Sequence, residues 1–257
     1  MLGPVVAAAL VASAAAAYPA VHVSSSASAV ELFAATELRN YLGNMSSAEV
    51  MLHVADEKPD GDVIAVGFDA ATGLGLAASE LDGLKNDSYV ISSKKSGIPS
   101  GSFVVTGGKA SARGTMFAAY DFLRLLGCKF LARGSGVPPE VAFTMQEELP
   151  ASPPATIPPV DVTYHPLYEY RDNNEWAAAT LPSWAGKLGY NGPNAHGAAP
   201  GTMAVAYAGG FVHTSYGLLT SGGGGASSGR GPPKDLWDQH REWFWCAQQL
   251  SLLFPTF

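Results

Sequence analysis

The hydrophobic positions divide this chain into stretches of very different character. From Leu2 to Ala17 almost nothing is polar, over a run of about sixteen residues that is shorter than a membrane-spanning helix requires. It closes on Ala15-Ala16-Ala17 ahead of Tyr18-Pro19, a small-x-small pattern that reads as the cleavage site of a secretory signal, although Lys and Arg are missing before it. The competing readings are a buried N-terminal helix or a membrane anchor. Beyond this run no apolar stretch approaches spanning length, so the mature chain is expected to be free of the membrane.

Residues 20–131 carry alternating strand and helix signals. Ala20 to Val23 is a short extended segment, and Ser28-Ala29-Val30-Glu31 has the form of a capping box that opens a helix. That helix places Val30, Ala34, Leu38, Tyr41 and Leu42 on one face and is expected to end near Gly43-Asn44. Strands are predicted at 50–54, 62–67, 88–92 and 102–106, the last closed by Gly107-Gly108. A second helix is predicted over 111–126 with Met116, Tyr120, Leu123 and Leu126 in one stripe, followed by a short strand at 129–131. The pattern implies an α/β fold, a small α/β sandwich with a mixed sheet and helices on one face.

Proline then recurs at Pro150, Pro153, Pro154, Pro158 and Pro159, which excludes a helix or a central strand and marks a stiff connector. Past it, Tyr168 to Arg171 reads as a strand leading into Asp172, Asn173, Asn174 and Glu175. Trp176 to Leu188 reads as a helix interrupted by Pro182, and Gly189-Tyr190-Asn191 as another short strand. Large apolar side chains then thin out until Trp237, Trp243, Phe244 and Trp245, too few for an independent core. The expected organisation is a signal peptide at 1–17, a domain at 18–148, a linker at 149–163 and an incomplete region at 164–257. A protease-resistant core of about residues 20–148 is expected on this reading.

Composition narrows the function classes. The chain carries 15 basic and 22 acidic side chains, a net charge of −7, and no long basic run. Phosphate neutralisation needs clustered Lys and Arg, so nucleic acid is not an expected partner. Charged residues make up 14%, against roughly 25% in soluble domains, while Gly and Pro are abundant. Two cysteines, Cys128 and Cys246, make no disulfide framework, and Cys128 reads as a buried free thiol. No cofactor is expected and no metal-ligand cluster is present in the sequence. On a secretory route, Asn44-Met45-Ser46 and Asn86-Asp87-Ser88 are acceptor sequons, making Asn44 and Asn86 candidate glycosylation sites.

Gly73-Leu74-Gly75-Leu76-Ala77-Ala78 fits the dinucleotide fingerprint, but it does not follow the first strand of a βαβ repeat, and alanine-rich sequence matches that pattern easily. Arg171, Asp172 and Glu175 cluster after an expected strand, where an Arg can hold a carboxylate or sugar hydroxyls; a solvated loop ion pair is the equal alternative. His213 sits in an apolar-aromatic stretch, where a structural role is the plainer reading.

Ala35-Thr36-Glu37-Leu38-Arg39-Asn40-Tyr41-Leu42 resembles the first helix of the N-terminal domain of α-glucuronidases and related glycoside hydrolases. So do Gly107-Gly108 with Arg113-Gly114-Thr115-Met116-Phe117-Ala118-Ala119-Tyr120-Asp121-Phe122-Leu123, and Gly127-Cys128-Lys129-Phe130-Leu131. That domain, similar to the second domain of β-hexosaminidases, precedes a (β/α)8 barrel in these families. Tyr170-Arg171, Gly189-Tyr190-Asn191, Val212-His213-Thr214 and the segment Asp238 to Trp245 resemble the start of such a barrel. The resemblance implies a secreted protein that processes polysaccharide such as glucuronoxylan, with Arg171, Asn191 and His213 lining the sugar site. A barrel needs about 250 residues, so the start at 164–257 is incomplete, and a truncated or mis-predicted gene product is the expectation. Hydrolysis needs a pair of carboxyl groups, and no catalytic residue can be assigned. The alternative is a non-catalytic carbohydrate-binding or structural remnant. Oligomeric state is not legible.

Overall fold

Helix α1 (Ala29–Ser46) starts where the sequence says it should. The Glu31 amide donates to Ser28 Oγ at 3.3 Å and the Ser28 amide donates to Glu31 Oε2 at 2.9 Å, so both halves of the capping box are formed. The helix buries Ala34, Ala35, Leu38, Tyr41, Leu42 and Met45 and ends at Ser47 in the left-handed conformation, two residues beyond the expected stop at Asn44. The structure is a computed structural model that describes residues 18–135, 142–171 and 181–191, all within one unit of the chain. Residues 1–17, expected to be a signal, and Asp172, Glu175, His213, Cys246 and the C-terminal aromatic residues lie outside the described residues.

Strands β1 (Ala20–Val23), β2 (Leu52–Val54) and β3 (Val63–Val66) are parallel, with β1 in the middle of the three. A short helix, α2 (Phe68–Leu74), leads toward β4 (Tyr89–Ser92) and β5 (Phe103–Gly107). Strand β5 pairs parallel with β3 and antiparallel with β4. Helix α3 (Ala112–Leu125) follows, then a separate antiparallel hairpin of β6 (Lys129–Ser135) and β7 (Ala142–Glu148). Strand β8 (Asp161–Tyr164) returns to the main sheet, antiparallel to β4. The six-stranded order is β2-β1-β3-β5-β4-β8. A final short helix, α4 (Pro182–Lys187), packs against the hairpin and α3.

Side-chain alternation along the strands separates two cores. Val21, Val23, Ile64, Val66, Phe103, Val105, Tyr89 and Ile91 face α1 and α3. Val63, Ala65, Val104 and Val90 face the other way, where Ala70, Ala71 and Leu74 of α2 cover them. The α/β class holds, but the expectation of helices on one face is corrected. A sheet with parallel strands at its centre is buried on both sides, and the seven-residue α2 carries too little apolar periodicity to announce itself.

Gly107 and Gly114 have a mechanical role. A side chain on Gly107 would collide with the Ser111 carbonyl, and one on Gly114 with the Ser88 carbonyl. Their absence lets the first turn of α3 lie directly on the end of β5, where the Gly107 amide donates to Thr115 Oγ1 at 2.8 Å.

Two further expectations change. Residues 161–163, the end of the expected linker, form an edge strand with Tyr164, and Ile157 within the proline-rich run is buried against the main core. Tyr18 also donates from its hydroxyl to the Pro154 carbonyl at 2.9 Å. Proline excludes a central strand but allows the approach to an edge strand. The segments at 168–171 and 189–191 are not regular strands, although the Asn191 amide donates to the Arg171 carbonyl at 2.8 Å and so lays one beside the other.

Two outcomes follow from this packing. Limited proteolysis should leave a resistant fragment that includes β8, through Tyr164; cleavage at 149–160 with release of β8 would contradict the pairing. On β1, the His22 ring faces the α2 side and is buried, its Nδ1 without a partner. Burial lowers its pKa from 6.5, against a weaker opposing bond to the His53 backbone, with His53 and Lys58 adding repulsion. The stabilising contribution of the neutral ring is complete above the unfolded pKa and is lost as pH falls through the depressed folded value. Urea midpoints measured from about pH 7 to about pH 5 should fall more steeply for the wild type than for His22→Val. Parallel slopes would remove His22 from the account.

Candidate functional site

The polar centre of the structure is the Asp87 carboxylate. It lies between α2 and β4 in the left-handed conformation, φ 64°, a region that Asp enters more readily than most residues. The Asp87 amide donates to Ser111 Oγ at 3.0 Å, and only 1% of the residue is exposed. A carboxylate taken out of water must be paired and hydrogen-bonded. Arg113, from the first turn of α3, donates to Oδ1 through Nε. Arg171 Nη2 and Asn191 Nδ2 donate to Oδ2 at 2.8 and 2.7 Å.

Arg171 and Asn191, two residues expected at a sugar site, are therefore brought together. Their polar groups are turned toward the protein. Arg171 Nε donates to the Gly189 carbonyl at 2.9 Å and Nη1 to the Tyr168 carbonyl at 3.0 Å, while its guanidinium sits 5.4 Å from the centre of the Phe117 ring. Asn191 Oδ1 accepts from the Arg171 amide at 2.7 Å, and Nδ2 also donates to the Glu169 carbonyl at 2.6 Å. With both amide hydrogens and the carbonyl engaged, Asn191 ties residues 169–171 to Asp87. Arg171 does hold a carboxylate, as its fork geometry suits it to do, and that carboxylate belongs to the chain itself.

Beside this cluster lies an open cleft of about 330 Å3 lined by Lys85, Asn86, Ser88, His165, Pro166, Leu167 and Glu169. The loop after β8, which Arg171 anchors, forms one wall, and the turn before β4 forms the other. Tyr164 stacks on Tyr89, ring centres 4.8 Å apart, which holds the start of that loop. The Leu167 and Tyr168 side chains project outward, 85% and 68% exposed. His165 Nδ1 lies 3.3 Å from Ser88 Oγ. Neither the Ser88 nor the Asp87 amide beside this pair is free to stabilise an oxyanion. The Ser88 amide donates to the Lys85 carbonyl at 3.0 Å, and the Asp87 amide to Ser111.

The expected glycosylation positions are both exposed, Asn44 on the last turn of α1 and Asn86 on the rim of the cleft. His213 lies outside the described residues. Cys128 is a buried free thiol, 3.5 Å from Met45 Sδ, and burial pushes its pKa up to about 11. Among the described residues no group of three or more His, Cys, Asp or Glu is arranged to hold a metal, and no described helix is long and apolar enough to cross a membrane.

The dinucleotide fingerprint is resolved against. Gly73 and Gly75 end α2 rather than open a helix, and Gly75, φ 121°, is pressed backbone to backbone against Gly97. The crevice where such a ligand would sit lies at the C-terminal ends of β1 and β3, where the strand order reverses. Glu31 fills it. Its Oε1 accepts from the Phe68 amide at 3.0 Å while its Oε2 completes the α1 cap.

Sequence reasoning missed Asp87, His165, Glu169 and Lys85. Asp87 was visible only as the middle of a sequon, and its partners lie 84 and 104 residues away. Protein-family models give no match to the chain, and no curated protein matches it significantly.

Removing the central carboxylate leaves two Arg side chains facing one another. Asp87→Ala should lower the unfolding free energy by about 3–5 kcal/mol, the usual cost of breaking a buried ion pair from one side. Urea denaturation checks this, and a loss below about 1 kcal/mol would place the cluster in the class of exposed pairs.

Proposed function

We propose that the chain is a secreted carbohydrate-active protein of the α-glucuronidase kind whose α/β unit binds an oligosaccharide without cleaving it. The observation that carries this reading is the cleft at 85–88 and 165–169. Its volume, about 330 Å3, falls at the lower end of the ligand-pocket range of roughly 300–1,000 Å3. Lys85, Asn86, Ser88, His165 and Glu169 offer donors and acceptors suited to hydroxyl groups, and Pro166 and Leu167 offer apolar surface. Tyr168, exposed in the same loop, presents an aromatic face of the kind on which sugar rings stack. The sugar-binding role expected of Arg171 and Asn191 becomes an indirect one: they fix the loop that forms one wall.

Binding is favoured over hydrolysis by the acid count at this place. Glycosidic cleavage requires two carboxyl groups flanking the bond, and among the described residues Glu169 is the one carboxyl side chain lining the cleft. Secretion and glycosylation belong to the same proposal. A glycan on Asn86 would stand at the mouth of the cleft and compete with an external sugar, whereas one on Asn44 would be remote from it in sequence and in element.

Isothermal titration with glucuronoxylan oligosaccharides, using protein unmodified at Asn86, should show saturable binding. Loss of one hydrogen bond is worth about 0.5–1.5 kcal/mol, so His165→Ala and Glu169→Ala should each weaken binding by about two- to tenfold. Glucuronic acid release should stay at background. No saturable binding would end the carbohydrate reading, and turnover would replace the binding role with an enzymatic one.

A further inference from the structure

A second buried charge lies outside the cleft lining. Lys187, the last residue of α4, is 8% exposed and carries its ammonium group into a space enclosed by α1, α3, β6 and β7. The Tyr120 and Phe130 ring centres each lie 5.6 Å from Nζ, and Tyr41 meets it through its hydroxyl end, with its ring centre 5.2 Å away. Nζ donates to Tyr41 Oη at 2.7 Å and to Glu147 Oε1 at 2.5 Å, and Glu37 Oε2 lies 3.7 Å away. The tyrosines in turn donate to the same carboxylates, Tyr41 to Glu147 at 2.5 Å and Tyr120 to Glu37 at 2.8 Å. Burial, together with these neighbouring acids, raises the pKa of both phenols, so both remain protonated donors.

The enclosure is built without the lysine. Phe130 meets Tyr41 and Tyr120 edge to face at 5.7 and 5.5 Å, and all three rings belong to the main core with Leu38 and Leu123. Glu37 and Glu147 come from α1 and β7. Only the cation comes from a later part of the chain, on a six-residue helix. That helix is otherwise tied down by Trp184 Nε1 to the Phe130 carbonyl at 3.1 Å and by Arg124 Nη1 to the Lys187 carbonyl at 2.6 Å. Aromatic rings beside a desolvated cation, with a phenol oxygen and carboxylates accepting its protons, are the general chemistry of ammonium recognition.

We propose that Tyr41, Tyr120, Phe130, Glu37 and Glu147 form an alkylammonium-binding cage, which the chain fills with its own Lys187 side chain. The cage is a property of the α/β unit, and α4 is its plug. With the plug's cation removed, the site accepts a free primary alkylammonium of lysine-like length. This assignment stands apart from the carbohydrate reading and uses none of its residues.

The test uses the full chain and n-butylammonium as probe. Lys187→Ala should unfold at a lower temperature than the wild type, and n-butylammonium should raise its Tm saturably, while n-butanol at equal concentration should not. The wild type, with its cage filled, should show no such rise, and Lys187→Ala combined with Glu147→Gln should lose it. An unresponsive Lys187→Ala, or an equal rise in the wild type, overturns the proposal. A second measurement needs no variant. In native wild-type protein, reductive methylation of Lys187 should be at least about tenfold slower than that of the exposed Lys129, because reaction requires local opening. Equal rates would show that Lys187 does not occupy the cage.

Discussion

A carboxylate cannot be left alone in a protein interior, and the arrangement around Asp87 follows from that constraint. The charge is placed at the turn before β4, where the local chain supplies one cation, Arg113 of α3. A second cation and an amide come from far along the sequence, Arg171 and Asn191. Meeting the needs of one buried acid therefore obliges the chain, after β8, to return to the turn before β4. The loop held in this way forms a wall of the cleft, so the geometry of the proposed binding surface is set by an ion pair that never touches the ligand.

Lys187 repeats the logic from the opposite sign. There a cation arrives from the late segment, and the α/β unit supplies the anions and rings. The two anchors differ in how much they constrain. Asp87 fixes backbone direction through an Asn and an Arg that also bind carbonyls, whereas Lys187 offers a flexible stem and a point charge. Between them they hold residues 165–171 and 181–191 on the domain, where Trp184 and Leu188 add to its main core.

What the sequence revealed and what it concealed divide by range. The capping box at Ser28 and Glu31, and the stripes of Leu38, Tyr41 and Leu42 and of Met116, Tyr120 and Leu123, are local patterns of period 3.6, and they specify α1 and α3 directly. Strand β8 was hidden because prolines dominate its approach and its Asp161-Val162-Thr163-Tyr164 faces solvent on an edge, with little apolar signal. Helix α2 was hidden by its brevity. Arg171 and Asn191 stood out for the right chemistry, since Arg does recognise a carboxylate there, but sequence alone could not say that the carboxylate was Asp87. Lys187 was invisible for the same reason: a cage made from four elements has no linear motif.

Glu31 links two of these observations. One of its oxygens closes the cap of α1, and the other covers the Phe68 amide at the crevice between β1 and β3. An ancestor or descendant that used this crevice for an anionic ligand would have to move that carboxylate aside, and in doing so would release the start of the helix that carries Leu38, Tyr41 and Leu42 into the main core. Adaptation by single steps toward such a ligand thus passes through a less stable intermediate. The resulting pleiotropy makes Glu31 a brake on functional drift at the position where folds of this strand order most often acquire new ligands.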